Sequence, residues 1–349
     1  MRQPGVATLA QLADFDEIID ARSPAEYADD HLPRAINCPV LDDRQRAHVG
    51  TLYKQASPFE ARKIGGVWVA QNVASHIERL FLGRPRDWRP LVYCWRGGQR
   101  SGAFTHILRQ IGWDAQRLEG GYKRWRRQVL SDLAAWPQGL SFRVVAGATG
   151  SGKSRLLAAL AAAGAQVLPL EELAAHKGSV LGVLPQTEQP SQRFFESRLH
   201  AALAHFTPER PVYVEAESRR IGAVQLPNEL IEAMRAAPSL RLEVPLGARV
   251  DFLLKDYDYF LADPAWLMER LEQLIGLQSR ETVARWVSLA AAGEFRALVQ
   301  QLLQQHYDPL YQRSQQKNFS AEAGSVPIAL DDLHADSVSR LAQELLRAA

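Results

Sequence analysis

Residues 91–101 read Leu91-Val92-Tyr93-Cys94-Trp95-Arg96-Gly97-Gly98-Gln99-Arg100-Ser101, which is an apolar strand, a cysteine, a glycine-containing loop and the start of a helix. In that layout successive backbone N–H groups face one concave nest beside the positive end of the helix dipole. Such a nest binds a tetrahedral anion and favours the thiolate form of a cysteine at its rim. Arg100 can add a bidentate contact to an oxyanion. The stretch therefore predicts a reactive-cysteine loop, whereas Cys94 taken alone is equally consistent with a buried structural thiol.

The composition of the whole chain is that of a globular protein with more than one domain. The chain has 349 residues, of which 46% are hydrophobic and 23% charged, so two cores are expected. No apolar run approaches the length of a membrane span, and no signal peptide is recognisable. Two cysteines, Cys38 and Cys94, are too few for a disulfide framework or a cysteine zinc site. We therefore expect a cytoplasmic protein with a free thiol.

Strands and helices alternate around the cysteine loop, which indicates a parallel-sheet α/β domain. A strand precedes the capping signature Ser23-Pro24-Ala25-Glu26, and a Gly120-Gly121 turn leads from a second strand into a helix. The segments 20–27, 31–37, 94–101 and 118–125, in this order, resemble those of a rhodanese domain. The resemblance covers roughly residues 5 to 130.

The length of the cysteine loop departs from the sulfur-transferring rhodaneses. The loop from Cys94 to Arg100 has seven residues, where those enzymes usually have six. A loop of seven residues resembles that of the rhodanese-related phosphatases, whose loop forms a cradle that fits phosphate. The resemblance thus implies room for a phosphorus-centred anion beside the thiol. A phosphatase is disfavoured because Tyr93 stands where tyrosine phosphatases usually place a histidine.

A second α/β unit begins after Trp136-Pro137-Gln138-Gly139, which predicts a helix stop and a linker. The strand Phe142–Ala146 runs into a complete phosphate-binding loop. The loop reads Gly147-Ala148-Thr149-Gly150-Ser151-Gly152-Lys153-Ser154. Its glycines allow the backbone to approach phosphate, Lys153 can reach terminal phosphate oxygens, and Ser154 is a candidate Mg²⁺ ligand. We expect domains at 1–136 and 140–349, the latter with a core at about 140–245 and a mostly helical extension at about 246–349.

Two further segments are candidates for the phosphate site. The strand Val212–Glu215 can place Glu215 where an acid orients Mg²⁺ directly or through water. The turn from His176 to Ser179 offers His176, Lys177 and Ser179 as polar contacts to phosphate or RNA, although an ordinary surface loop explains it equally well. No Asn-Lys-x-Asp segment is present, which disfavours a guanine-reading GTPase. The predicted fold class is a rhodanese-like domain followed by an α/β domain like that of the phosphate-loop NTPases, with a helical C-terminal extension.

With the cysteine loop, the phosphate loop, the His176–Ser179 turn and Gln192/Phe195/Glu196, the chain resembles the tRNA 2-selenouridine synthases over nearly its full length. The resemblance implies a transferase that replaces sulfur by selenium in 2-thiouridine at the tRNA wobble position, using selenophosphate. It also implies S-geranyl-2-thiouridine, formed from geranyl diphosphate, as the intermediate. The implied partners are tRNA and these two co-substrates, with no covalently bound cofactor, and Mg²⁺ as a candidate.

Roles follow from the resemblance residue by residue. Cys94 would be the thiol of the selenium step. The residues that would hold selenophosphate are Trp95, Arg96, Gly97, Gly98, Gln99 and Arg100. Lys153, Ser154 and the backbone from Gly147 to Gly152 would hold the diphosphate. Two alternatives stay open: a nucleotide-dependent kinase or thiolase, and a rhodanese that serves only as a sulfur carrier.

Overall fold

The structure, a computed structural model, describes residues 5–318 and 324–348. The chain divides into two compact units. One consists of Met1–Asp132 with Glu196–Ala201, and the other consists of Leu133–Phe195 with Ala202–Ala349. Within the described ranges no helix is long and apolar enough to cross a bilayer.

The first unit is built on a five-stranded parallel sheet with the order β1-β5-β4-β2-β3. Its strands are β1 (Val6–Ala7), β2 (Glu17–Asp20), β3 (Ala35–Asn37), β4 (Pro90–Tyr93) and β5 (Gln116–Leu118). The helices of this part of the chain are α1 (Pro24–Asp29), α2 (Asp43–Gln55), α3 (Pro58–His76), α4 (Gln99–Ile111) and α5 (Gly121–Ala135). Because β4 is central and buried throughout, the loop that follows it opens at the carboxyl edge of the sheet, where ligands of α/β proteins bind.

Local signals set the ends of the helices in this unit. The backbone N–H of Ser23 donates to the Glu26 carboxylate at 3.2 Å, which is one half of the predicted capping box. Ser57 caps α3 by accepting from Phe59 N–H at 3.2 Å. Helix α4 ends at Gly112, which adopts a left-handed φ of 114°. The elements predicted around the cysteine loop are therefore confirmed.

The second unit contains another five-stranded parallel sheet, with the order β12-β11-β6-β8-β7. Its strands are β6 (Phe142–Gly147), β7 (Gln166–Leu168), β8 (Val212–Glu215), β11 (Ser239–Glu243) and β12 (Ser325–Ala329), and β9 (Arg220–Ile221) and β10 (Val224–Gln225) form a separate antiparallel pair. The helices along the rest of the chain are α6 (Lys153–Ala162), α7 (Leu170–Leu173), α8 (Gln192–Leu203), α9 (Asn228–Ala236), α10 (Leu246–Asp256), α11 (Asp258–Ala262), α12 (Pro264–Glu272), α13 (Arg280–Ala291), α14 (Phe295–Leu302), α15 (Asp308–Asn318) and α16 (Ala335–Arg347). Short 3₁₀ or π turns lie at Leu9–Asp14, Ile77–Phe81, Trp136–Gly139 and Leu303–Tyr307. Central β6 leads into the phosphate loop and α6.

The C-terminal region is mostly helical, as predicted, but it returns to the sheet. Strand β12 pairs in parallel with β11, with Ser239 opposite Ser325. Helix α16 then buries Val338 and Leu341 in the same cluster as Leu156 of α6. The last part of the chain is thus part of the phosphate-loop core. The predicted architecture, two successive parallel-sheet α/β units with the phosphate loop in the second and a mostly helical C-terminal region, is confirmed.

Candidate functional site

Cys94 lies at the first position after β4, where the chain turns into the loop that precedes α4. Only 3% of its surface is exposed, and its sulfur is 3.2 Å from the Ser101 hydroxyl oxygen. Around it, Trp95 is half-buried with its ring 5.2 Å from that of Tyr122, whereas Arg96, Gly98 and Gln99 are exposed. The loop therefore places a shielded thiol beneath an accessible, glycine-rich rim.

The Gly120-Gly121 turn holds this loop from behind. The backbone N–H of Tyr122 donates to the Cys94 carbonyl at 2.9 Å, and that of Lys123 donates to the Trp95 carbonyl at 2.9 Å. A Cβ atom on Gly121 would lie 2.2 Å from the Cys94 carbonyl oxygen, and one on Gly97 would lie 2.5 Å from the Leu118 oxygen. Both glycines also have left-handed φ angles. Side chains at these positions would push the loop off its support.

Arg100 reaches across to α1. Its guanidinium donates to both oxygens of Glu26, at 2.5 and 3.2 Å, and 17% of its side chain is exposed. Since Glu26 also accepts the Ser23 N–H, one carboxylate joins the start of α1 to the start of α4. The bidentate contact that the sequence predicted for an oxyanion is therefore made to Glu26 in this structure.

A buried polar network beneath the loop was missed in the sequence. Arg22 and Asp20 are 1% and 0% exposed and form an ion pair of 2.6 Å. The Tyr93 hydroxyl donates to Asp20 at 2.6 Å, and burial together with the Asp20 charge raises the pKa of Tyr93 well above its usual value. The Arg22 guanidinium lies 4.0 Å from the centre of the Tyr122 ring. The Asp20-x-Arg22 pattern could have indicated the ion pair from the sequence alone. The hydrogen bond from Tyr93 could not have been predicted, because only the fold brings this residue close to Asp20.

Cys38 has a different environment from Cys94. Its side chain is fully buried, and burial together with the charges of Glu17 and Asp20 raises the pKa of its thiol to about 12. A thiol in that state is not a nucleophile at neutral pH. Cys94 is therefore the candidate reactive thiol of the two.

A basic cleft opens beside the cysteine loop between α2, α3 and the start of α4. It encloses about 1220 Å³, counting its opening to solvent, and Gln99 and Arg100 form one wall. The cations that line it are Arg46, Lys54, Arg62 and Arg100. The spacing of three of these residues along two helices gave no recognisable motif, so sequence reasoning did not find the cleft. Glu26 pairs with Arg100 and lies 4.0 Å from Arg46, so part of this positive charge is balanced within the protein, and the rest suits a polyanion.

In the second unit the phosphate loop joins β6 to α6. The Lys153 ammonium donates to the Gly147 carbonyl at 3.0 Å, and the Ser154 hydroxyl donates to Glu171 at 2.9 Å. From outside the loop, Arg249 donates to the Thr149 carbonyl at 2.9 Å and pairs with Asp308 at 2.6 Å. Arg249 is 7% exposed, so this ion pair anchors the loop to α10 and α15.

Three glutamates lie close to the phosphate loop. Glu215, at the end of β8, is 1% exposed and accepts the Glu171 N–H at 2.7 Å. Burial raises its pKa to about 7, and the neighbouring Glu171 charge adds to the effect. Glu217 retains some exposed surface, but desolvation and the charges of Glu171 and Glu215 raise its pKa as well. Among the described residues, no group of three or more His, Cys, Asp or Glu is arranged as a metal site.

The buried Glu215 carboxyl should make stability depend on pH. Its folded pKa lies above the ordinary 4.5, so the folded chain binds this proton more tightly than the unfolded chain does. The stabilisation is complete below about pH 4.5 and is lost as the pH rises through 7. Glu215→Gln, which stays neutral, should raise the free energy of unfolding by about 1–3 kcal/mol at pH 8 and far less at pH 5. Urea unfolding of both proteins at the two pH values measures this, with exposed Glu209→Gln as the control; equal effects at pH 5 and 8 would contradict the assignment.

The His176–Ser179 turn lies beside the phosphate loop. Lys177 and Ser179 line an open cavity of about 1920 Å³ together with Lys153, Ser154 and Glu217. The Lys177 ammonium donates to the Asp256 carboxylate at 2.7 Å and lies 4.1 Å from the centre of the Tyr257 ring. His176 is buried, with its Nδ1 3.2 Å from the Gly178 N–H, and burial lowers its pKa. The structure thus brings Lys177 and Ser179 to the phosphate site, while His176 and Glu215 lie beneath it.

Comparison with known proteins covers both units. Residues 140–277 match the family model of the tRNA 2-selenouridine synthase AAA domain, and residues 6–128 match that of the rhodanese-like domain. The tRNA 2-selenouridine synthase of Nitrosomonas europaea is 35% identical over 88% of this chain and 78% of its own length. The corresponding figures are 33%, 84% and 86% for the synthase of Chromohalobacter salexigens, and 32%, 84% and 87% for that of Marinobacter nauticus. Since similarity of this extent runs through both the cysteine loop and the phosphate loop, the chain belongs to the tRNA 2-selenouridine synthase family, a family of tRNA-modifying enzymes.

Proposed function

We propose that this chain converts 2-thiouridine at the wobble position of tRNA to 2-selenouridine in two steps, using geranyl diphosphate and then selenophosphate. The observation that carries the proposal is the presence, in a member of this family, of two separate anion cradles: a cysteine loop after β4 and a phosphate loop after β6. Each cradle suits one co-substrate. The basic cleft beside the cysteine loop supports tRNA as the macromolecular partner.

In the first step the sulfur of 2-thiouridine attacks C1 of geranyl diphosphate. A carbon–sulfur bond forms, the carbon–oxygen bond breaks, and diphosphate leaves with the electron pair. The phosphate-loop backbone and Lys153 would stabilise the charge that develops on the leaving group. Lys177 lines the same cavity and adds a second cation near the diphosphate.

The residues around Ser154 fit Mg²⁺. The Ser154 hydroxyl and the Glu171 carboxylate, 2.9 Å apart, are hard oxygen ligands of the kind that Mg²⁺ takes together with phosphate oxygens. These two residues would hold the ion, which would supply further charge neutralisation to the diphosphate. Glu215 would act from behind by fixing the backbone of Glu171.

In the second step the Cys94 thiolate attacks C2 of the S-geranylated uridine and displaces geranyl thiolate, and the selenium of selenophosphate then attacks C2 and displaces the Cys94 thiolate. A carbon–selenium bond forms, and hydrolysis of the selenium–phosphorus bond releases phosphate. Alkylation in the first step is what turns the sulfur into a leaving group. The N–H groups of the loop from Trp95 to Arg100 would hold the phosphoryl part, and Cys94 is the thiol of this step.

The test is mass spectrometry of nucleosides from 2-thiouridine tRNA incubated with the purified chain. With geranyl diphosphate alone we expect S-geranyl-2-thiouridine, and with selenophosphate added we expect 2-selenouridine. Cells that lack the chain should contain neither nucleoside. If steady ATP turnover that depended on Lys153 were found instead, with no geranylated product, a nucleotide-dependent reaction would replace this proposal.

A further inference from the structure

A narrow apolar cavity lies in the second unit, directly against the phosphate loop. Thr149 of that loop forms part of its wall, and the other lining residues come mainly from α10, α11 and α14. Its apolar lining includes Leu253, Leu254, Phe260, Leu261, Phe295 and Val299. We propose that this cavity binds the hydrocarbon chain of the allylic diphosphate, which makes it the element that selects the length of the prenyl group. This inference rests on the function proposed above.

The cavity is continuous with the phosphate site. Thr149, Ser179, Leu253, Tyr257 and Tyr307 line both the apolar cavity and the open cavity that contains Lys153. A Cβ atom on Gly150 would lie 2.8 Å from the Leu253 side chain, so the loop backbone packs directly on the cavity wall. A diphosphate held by the loop would therefore have its organic substituent at the mouth of the cavity.

The lining decides the chemistry of that substituent. Apart from the hydroxyl groups of Thr149, Ser179, Tyr257 and Tyr307, the side chains of the wall are hydrocarbon. A nucleotide base buried here would leave most of its polar edge without hydrogen bonds, which costs free energy for each unpaired group. An isoprenoid chain has no such groups and gains from every carbon that leaves water. The cavity therefore favours a prenyl chain over a nucleoside.

The cavity is narrow in this structure. About 70 Å³ of it is open to a water-sized sphere, so side chains of the wall must move outward before a chain of several carbons can enter. Leu254, Leu261, Val299 and Phe295 are half-buried, so their side chains can shift as a chain enters the slot.

Chain-length selection tests the assignment. Val299→Phe adds bulk to the cavity wall and should lower kcat/KM for geranyl diphosphate at least tenfold, while changing transfer of the shorter dimethylallyl group less than twofold. Phe295→Ala removes bulk and should raise transfer of the longer farnesyl group relative to geranyl. The matched control is Val287→Phe at a half-buried valine of α13 that does not line the cavity. Products are measured by mass spectrometry of 2-thiouridine tRNA, and thermal unfolding verifies that each variant is folded.

A second readout separates this inference from the proposed function. Calorimetric titration without tRNA should show that geranyl diphosphate binds more tightly than dimethylallyl diphosphate. Val299→Phe should remove that preference without lowering the affinity for inorganic diphosphate. If geranyl transfer occurred but folded Val299→Phe and Phe295→Ala kept the wild-type length preference, the cavity assignment would be wrong and the proposed function would stand. If no prenyl transfer occurred yet binding depended on length in this way, the proposed function would fail and the cavity assignment would stand. If the wild type and both variants bound prenyl diphosphates of different chain length with equal affinity, the cavity assignment would be wrong.

Discussion

Lys153→Ala should reduce formation of S-geranyl-2-thiouridine on the order of 10²–10³-fold, the typical loss when one group that stabilises a developing negative charge is removed. The Lys153 ammonium lies at the phosphate loop, within 3.0 Å of the Gly147 carbonyl, and α6 begins at this residue. Alanine keeps the helix but removes the positive charge. The rate of geranylation of 2-thiouridine tRNA, measured by mass spectrometry, gives the result directly.

The matched control for this variant uses a different substrate. Supplied with tRNA that already carries S-geranyl-2-thiouridine, Lys153→Ala should still form 2-selenouridine at a rate close to that of the wild type, because that step needs no diphosphate leaving group. Lys153→Arg keeps the positive charge but replaces the ammonium by a planar guanidinium, so this variant should retain part of the geranylation activity. Loss of both reactions in a folded Lys153→Ala protein would contradict the assignment of two separate sites.

Cys94→Ser should abolish selenium incorporation and leave geranylation intact, so that geranylated tRNA accumulates. The substitution exchanges the sulfur for a harder and less nucleophilic oxygen within a loop whose backbone is held by Tyr122 and Lys123. Alkylation of thiouridine needs no protein thiol. The amounts of S-geranyl-2-thiouridine and 2-selenouridine in digested tRNA, with both co-substrates present, measure the separation.

Cys38→Ala is the control for the cysteine experiment, because it removes the other thiol of the chain from a fully buried position. It should affect stability more than either reaction. A Cys94→Ser protein that lost geranylation as strongly as Lys153→Ala would require a single shared site in place of two.

Short-range patterns carried most of what could be predicted. The cysteine loop, the phosphate loop and the helix start at Ser23 depend on residues that are close in sequence, and the structure has these elements where they were expected. The Gly120-Gly121 turn was also predicted. The role of this turn could not be predicted, because only the fold shows that the N–H of Tyr122, directly after it, donates to the Cys94 carbonyl.

Features that depend on distant residues could not be predicted. Arg249 anchors the phosphate loop from α10 through a pair with Asp308, and no local pattern connects these residues. The aromatic and aliphatic stripe at 250–260 is typical of a core helix, and its composition alone does not distinguish a core from the wall of a ligand cavity. Only the packing of α10, α11 and α14 shows that Leu253, Tyr257 and Phe260 also face a cavity.

The edge position of β12 has a consequence for how the chain acquires its structure during synthesis. One of the two strands that pair with β11 is β12, at residues 325–329. The segment after β12 also contacts α6, since the Arg155 guanidinium donates to the Leu333 carbonyl at 2.6 Å. The phosphate loop can therefore be translated long before the sheet beneath it is complete, and β11 stays an open edge until then. Such an edge can pair with other chains. Ribosome stalling between β11 and β12 should thus produce aggregation-prone nascent chains, whereas the rhodanese-like sheet already has all five of its strands by Leu118.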